Sequence, residues 1–547
     1  MIPQIHLAQH ILQIFGFHGI ENIVICPGSR NAPLTIGFAN NPFFKCYSIV
    51  DERCAAFFAL GMAQEIKQPV AVVCTSGSAL LNFYPAIAEA FYNQIPLIIV
   101  SADRPKDKID IGDGQTIRQK NVFENHVLEQ VNLPENPNET SDFEIQKAIE
   151  TCFYKKGPIH VNVPFEEPLY NTILEYNSYP QFINLKKENQ EYIEANSYIE
   201  IIKNSSKVLI LIGNLSPNTI ATKIIDLWAS LPNYMVMTET LSNINHDQFI
   251  SKIDVTITSF TIDEMIDYQP DVLITMGGMI VSKKVKNWLR SYPPKFHFHI
   301  DELRAYNTFN CLSYHFKCSI NHFWKKIKIE SHIKSDYQNK FLALKEKRAE
   351  NHLKFVENID FSDFKVFNFI EKNIPKGIQL QISNSAAIRY IQLFDYDKSI
   401  EMYCNRGTSG IDGSTSTAIG ASIFAQKPVW LITGDLSFFY DSNALWNNYI
   451  PTNFKIVIIN NGGGGIFRIL PGHQENEVFN HFFETQHQLN ASHLARMYQF
   501  EYFSVHNEKE LEERWCEFVN SNQKSILEIF TPIQKNEKIL KNYFNSL

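Results

Sequence analysis

No stretch of this chain runs the roughly 18 uninterrupted apolar residues that a bilayer-spanning helix needs, so no membrane span is expected. Positive charge is also short: 50 Lys and Arg stand against 58 Asp and Glu, a net charge of −8. That deficit argues against a nucleic-acid partner and against whole-chain attraction to anionic lipid, yet leaves room for a local basic pocket. Cysteine is present but unpatterned. Nine scattered residues with no CxxC pair fit neither a disulfide framework nor a zinc cluster, and a reducing cytoplasm is the expected setting. Cys26 and Cys74 lie in strand-like runs and read as small buried apolar residues. Walker A, HExxH and GxGxxG sequences are missing, which removes the common rivals for an α/β chain. Residues 1–20, MIPQIHLAQHILQIFGFHGI, lack a basic region ahead of their apolar positions and read as an amphipathic helix rather than a targeting signal.

What is there is alternation. At roughly 100–200 residues per domain, 547 residues suggest about three domains. In the first block, IVICPGS, AVVCTSGS and PLIIVSADRP are short apolar runs ending in small or polar residues, separated by helical stretches such as AAFFALGMAQEI. The pattern predicts a parallel sheet covered by helices, with ligands bound beyond the carboxyl ends of the strands. Residues 171–200, rich in Asn, Tyr, Glu and Lys, read as a linker. Alternation returns with VLILIG, YMVMTET, DVLITMGG and KFHFHIDE; a charged stretch near 325–360 reads as helix and second linker; GIQLQIS, VWLITGD and FKIVIINN follow. The expected fold is α/β, with three parallel-sheet α/β domains at 1–175, 195–335 and 361–547. AVVCTSG, a helix, then PLIIVSAD echoes VWLITGD, a helix, then FKIVIINN, so the end blocks could be related folds.

The most specific signal is VWLITGDLSFFYDSNALWNNYIPTNFKIVIINNGGGGIF, residues 429–467. One buried strand ends at Gly434-Asp435, and a second ends at Asn460-Asn461 before four glycines. As parallel neighbours they would bring Asp435 and Asn461 to one edge of the sheet. A carboxylate, an amide oxygen and a free backbone carbonyl make a hard magnesium site. Glycines let the backbone approach closely, and a helix starting after Gly434-Asp435 favours phosphate.

This arrangement resembles the thiamin-diphosphate enzyme family, whose magnesium-diphosphate motif is a GD pair, some twenty-five residues, then NN. The resemblance implies a fold of three α/β domains, with thiamin diphosphate and magnesium (or manganese) as cofactors. Asp435, Asn461 and Gly463 are then the implied metal ligands, and Gly434, Asp435 and Leu436 the diphosphate neighbours. The family also needs a glutamate in the other cofactor domain, to hydrogen-bond the aminopyrimidine and promote its imino tautomer. Glu52, in YSIVDERCAAFFALGMA, matches it; read alone it is an acid favoured by a helix N-terminus. Such cofactors carry the carbanion chemistry while the protein positions and tunes them.

Further segments, ICPGSRNAPLT, TSGSALLNFYPAIAEA, SADRP, GDGQTIRQ, NRGTSGIDGSTSTAIG and NNGGGGIFRILP, resemble the branch of the family that acts in menaquinone biosynthesis. The resemblance implies decarboxylation of 2-oxoglutarate and 1,4-addition of the resulting succinyl carbanion to isochorismate. Another 2-oxo-acid carboligase or decarboxylase, or a catalytically silent homologue, is the alternative. Polycarboxylate substrates call for cations at strand ends, and Arg30, Arg104, Arg389, Arg406, Lys283 and Lys284 stand there; arginine clamps carboxylates bidentately. The family often has Lys-Arg where this chain has Lys283-Lys284. By resemblance Ser29 and Gln115 help hold substrate, and Ser385 faces the isochorismate side. Ile411 props the cofactor into its bent form, and Ile466, Phe467 and Leu470 form an apolar wall. The family further implies a homodimer, or a dimer of dimers, with active sites shared between subunits. His473, His481, His487 and His493 have no metal-motif spacing and read as surface or loop histidines.

Overall fold

The computed structural model describes all residues except 184–192, 194, 330–332, 470, 471 and 473. The first sheet holds β1 (Asn22–Ile25), β2 (Lys45–Ser48), β3 (Val70–Cys74), β4 (Leu97–Asp103), β5 (Gln130–Asn132) and β6 (Ile159–Pro164), in the order β2-β1-β3-β4-β6-β5. The second holds β7 (Val208–Ile212), β8 (Tyr234–Thr238), β9 (Val272–Met276), β10 (Phe296–Ile300) and β11 (Leu312–Phe316), ordered β8-β7-β9-β10-β11. The third holds β12 (Gln379–Ile382), β13 (Glu401–Tyr403), β14 (Val429–Gly434), β15 (Lys455–Asn460), β16 (Glu501–Val505) and β17 (Ser525–Phe530), ordered β13-β12-β14-β15-β17-β16. Every pairing in these sheets is parallel. The end sheets thus share one topology, which gives substance to the echo in their sequences. Central strands such as VAVVC and VLILI are buried at every residue, as helices on both faces require.

The end sheets are not independent. The helix Glu52–Ile66, behind β2, crosses the helix Ser414–Ser422 at backbone contact. A Cβ on Gly61 would meet the Thr417 carbonyl oxygen at 2.1 Å, and one on Gly420 would meet the Phe58 carbonyl oxygen at 2.0 Å. One apolar cluster therefore runs from Val24, Phe57 and Phe58 to Ile419, Leu431 and Ile458. Burying each such side chain contributes on the order of 1.5–3 kcal/mol.

Of the two stretches read as linkers, the second holds the expected helix and the first is tied to the fold along part of its length. The charged stretch holds the helix Tyr337–Val356, whose Tyr337, Phe341 and Leu344 pack with Leu209, Met235 and Leu273 under the middle sheet. Their spacing of four and then three residues is one helix face, hidden among lysines and glutamates. The first linker is strapped down as far as residue 183. Gln9 Oε1 accepts the N–H groups of Asn177 and Ser178, both at 3.1 Å, and Gln146 Oε1 accepts that of Ile183 at 3.0 Å. His10 joins the same strap, between Asp142 Oδ1 at 2.7 Å and Ser178 Oγ at 2.8 Å. The rest of that linker is outside the described residues, apart from Ile193 and residues 195–200. Among the described residues no helix is long and apolar enough to cross a membrane.

Candidate active site

Strand order reverses between β12 and β14, and between β1 and β3, and such switch points open a crevice at the carboxyl edge. β14 runs beside β15 with Gly434 opposite Ile459, so Asp435 and Asn461 leave the sheet together. Gly434 is the N-cap of the short helix Asp435–Tyr440. Asp435 is buried. Its Oδ1 accepts the Leu436 N–H at 2.7 Å, and its Oδ2 accepts those of Gly462 and Gly463 at 2.9 and 3.1 Å. Asn461 Nδ2 donates to Asp363 Oδ2 at 3.1 Å, which decides the end of the amide that faces the niche. Asn461 Oδ1 is buried without a hydrogen-bond partner, whereas buried polar atoms are nearly always satisfied. An orphaned oxygen beside a buried carboxylate fits a hard cation. The Gly463 carbonyl accepts the Gly465 N–H at 3.0 Å and keeps a second lone pair. Asp435, Asn461 and Gly463 could together hold magnesium or manganese.

His487 lies on a loop, as expected, but is turned inward. Its ring is 11% exposed, with Nε2 at 3.4 Å from Asp435 Oδ2. The Leu489 N–H donates to its Nδ1 at 3.1 Å, so the neutral ring carries its proton on Nε2, toward Asp435. The His487 N–H also donates to the Gly462 carbonyl at 3.0 Å. His481 and His493 are exposed. His473 and Leu470 lie outside the described residues. Ile466 and Phe467 are half-buried on the turn Ile466–Ile469. Ile411 is 36% exposed, so it is no ordinary core isoleucine.

Glu52 opens its helix behind the N-cap Asp51, whose carboxylate accepts the Cys54 N–H at 3.1 Å. Burial raises the Glu52 carboxyl above the ordinary range, against a bond from its own N–H, and the Asp51 charge adds to the rise. Glu52 is also felt by the buried thiols of Cys26 and Cys74 at the ends of β1 and β3, both pushed well up, chiefly by burial. Glu52 thus faces the first sheet's crevice.

The expected substrate residues form two groups. Around the first sheet, the Arg30 N–H donates to Thr75 Oγ1 at 3.2 Å, its Nη1 donates to the Phe165 carbonyl at 2.9 Å, and its Nη2 lies 3.1 Å from Glu167. Arg104, close enough to repel Arg30, donates to the Gly114 carbonyl at 3.1 Å and has a buried Nε without a partner. Ser29 and Gln115 are exposed nearby, and Ser76 Oγ donates to the Gln115 carbonyl at 2.9 Å.

The second group lies between the middle and last sheets. Arg389 Nη1 donates to the Ser385 carbonyl at 2.7 Å, with Ser385 at a φ of +73°. Arg406 Nη1 donates to Asn384 Oδ1 at 2.7 Å, while its Nε is buried without a partner. Burial and the Arg406 charge lower the Arg389 pKa. Lys283 is exposed, and Lys284 is half-buried.

Several supporting residues escaped the sequence reading. Glu89, fully buried, accepts the N–H groups of Gly407 and Thr408 at 2.7 Å each and the Thr408 hydroxyl at 2.9 Å. It clamps the loop after Arg406, and Gly407 is required there because a Cβ would meet the Glu89 carbonyl oxygen at 2.5 Å. A glutamate inside the apolar run AIAEAF was the available signal. Asp363 orients Asn461, and burial pushes its carboxyl up to about 6 against bonds from Thr531 and Asn461. Glu239, in the middle layer, accepts the N–H groups of Val281 and Ser282 at 2.7 and 2.6 Å, just ahead of the lysine helix.

Comparison with known proteins accords with this geometry. The chain matches "Thiamine pyrophosphate enzyme, N-terminal TPP binding domain" over residues 5–133, "Middle domain of thiamine pyrophosphate" over 176–382 and "Thiamine pyrophosphate enzyme, C-terminal TPP binding domain" over 385–529. The 2-succinyl-5-enolpyruvyl-6-hydroxy-3-cyclohexene-1-carboxylate synthase of Flavobacterium psychrophilum is 56% identical over 547 residues, spanning 100% of this chain and 99% of the relative. The synthase of the same name from Flavobacterium johnsoniae is 56% identical, again over 100% and 99%, and that from Christiangramia forsetii is 48% identical over 99% of each. The chain belongs to the thiamine pyrophosphate enzymes, in the group of the 2-succinyl-5-enolpyruvyl-6-hydroxy-3-cyclohexene-1-carboxylate synthases.

Proposed function

We propose that this enzyme decarboxylates 2-oxoglutarate and adds the succinyl unit to isochorismate, a step of menaquinone biosynthesis, in the cytoplasm. The observation that carries the reading is full-length identity of 56% to synthases of that name. Its support in the fold is an oxygen niche and a set of cations, most of them partly buried, at neighbouring strand edges. When bound, thiamin diphosphate supplies a nucleophilic carbon and accepts the electron pair released with carbon dioxide. Asp435, Asn461 and the Gly463 carbonyl hold its metal, with Gly434 and Leu436 beside the diphosphate. Ile411, Ile466 and Phe467 supply apolar contact, and Leu470 is assigned there from sequence alone. Glu52 accepts and returns a proton at the aminopyrimidine, a task suited to a carboxyl with a raised pKa. Arg30, Arg104, Arg389, Arg406 and Lys283, with Ser29, Gln115 and Ser385, bind the carboxylates of the two acids, whereas Lys284 is held by Thr258 and the Phe544 ring. Glu52 and Asp435 of one active site come from different subunits of a homodimer. In support, Glu52 opens a helix beside the first sheet and Asp435 a helix beside the last sheet, so each end domain presents half of a cofactor site. The direct test incubates purified protein with thiamin diphosphate, magnesium, 2-oxoglutarate and isochorismate. The named adduct, identified by mass, is expected; a different product or none refutes the assignment.

A further inference from the structure

From the sequence, Lys283 and Lys284 are the cations that the middle domain lends to substrate. In the structure the two lysines lie on different faces of their helix, Lys283–Ser291. Lys284 is already engaged: its ammonium donates to the Thr258 hydroxyl, lies 3.7 Å from the centre of the Phe544 ring and faces Asp254. It shares a helix face with Trp288, four residues on, which is buried and donates to the Met265 carbonyl at 3.1 Å. That face is packing surface.

The other face carries Lys283, Lys286 and Arg290, spaced by three and then four residues. Lys286 is half-buried, and among the described residues its ammonium has neither a hydrogen bond nor an ion pair. The charges that act on it are Glu239, which attracts it, and Arg406, Arg290 and Lys283, which repel it. Glu239 is a poor counter-ion, since each of its oxygens already accepts an N–H, from Val281 and Ser282, and burial pushes its carboxyl up to about 7 and so toward the neutral form. A half-buried ammonium with free donors, in the field of a guanidinium whose Nε is buried without a partner, is unfavourable unless an anion joins them.

We propose that Lys286, on the face of Lys283 and in place of Lys284, is a middle-domain cation that binds a carboxylate of the acceptor substrate, jointly with Arg406. This rests on the proposed reaction, in which the acceptor is isochorismate. Lys286→Met keeps the aliphatic stem and removes the charge; Lys286→Arg keeps the charge; Lys284→Met removes the packed one. Two readouts are needed: steady-state kinetics with both acids, and calorimetric titration of isochorismate into cofactor-loaded protein without 2-oxoglutarate. Lys286→Met is expected to weaken isochorismate binding and raise its KM about tenfold or more. The KM for 2-oxoglutarate, cofactor affinity and melting temperature should hold, and Lys286→Arg should recover most of the loss. Lys284→Met should lower the melting temperature instead. Equal isochorismate affinity in wild type and Lys286→Met, or an effect confined to 2-oxoglutarate, overturns the proposal. Absence of product from wild-type protein that still binds isochorismate tightly would reject the reaction while leaving the role of Lys286 to the titration.

Discussion

Glu52 sits where a proton must be handled: half-buried at a helix start, with its carboxyl raised chiefly by burial. Glu52→Gln keeps the shape and one acceptor but cannot take the proton. It should fold normally and lose roughly 10²–10⁴-fold in turnover, the usual range for a positioned acid–base group. A variant with near-normal turnover removes the role assigned to Glu52. Glu239 offers a pH test. Burial first, then Asp254, raises its carboxyl to about 7, against the N–H bonds and Arg406, and Lys286 also faces it. In the unfolded chain a glutamate titrates near about 4.3. The folded state therefore holds this proton more tightly. The resulting stabilisation is complete below the unfolded value and is lost as pH rises through about 7. Glu239→Gln does not titrate, so its deficit in melting temperature relative to wild type should shrink from pH 5 to pH 8. A gap independent of pH would show that Glu239 is ionised throughout.

Among the elements, the crossing of the helices Glu52–Ile66 and Ser414–Ser422 ties both cofactor domains into one core. The atoms facing Gly61 and Gly420 are backbone carbonyls, which cannot rotate aside as a side chain would. Gly420→Ala should force the helices apart and cost about 1–3 kcal/mol, lowering the melting temperature by about one to three degrees. Because the helix that Gly420 packs against carries Glu52, cofactor affinity should fall as well. Unchanged thermal unfolding would mean that the crossing relaxes freely. The neighbouring helix Tyr84–Asn93 does a related task at its Glu89, which holds the Arg406 loop by three hydrogen bonds.

For the whole molecule, the question is how Glu52 and Asp435 meet at one cofactor. In a symmetric dimer, two reciprocal halves make two equivalent sites. Glu52→Gln and Asp435→Ala proteins, each inactive alone, can be mixed under conditions of subunit exchange. About half the dimers should then be mixed, each with one intact site and one doubly damaged site, and roughly a quarter of wild-type activity should return. If each chain built its own site, every site would carry one lesion. Verified exchange with no recovered activity would exclude shared sites.

The sequence by itself determined the layers and the place of the chemistry. Alternating apolar runs specify buried parallel strands, and strands that end at Gly434 and Asn460 must deliver Asp435 and Asn461 to one edge, because register follows from the pattern. It also placed Glu52 at a helix start. What only the tertiary structure decided are contacts between parts far apart in the chain. Asp363 reaches Asn461 across 98 residues, and Glu89 reaches Gly407 across 318. His487 reads as a surface or loop residue and does arrive on a loop, but a loop without periodicity gives no sign that it turns toward Asp435. Adjacent lysines look alike in sequence, yet one residue turns a helix by about 100°. That turn sends Lys284 against Thr258 and Phe544, and two residues further on it sets Lys286 toward Arg406.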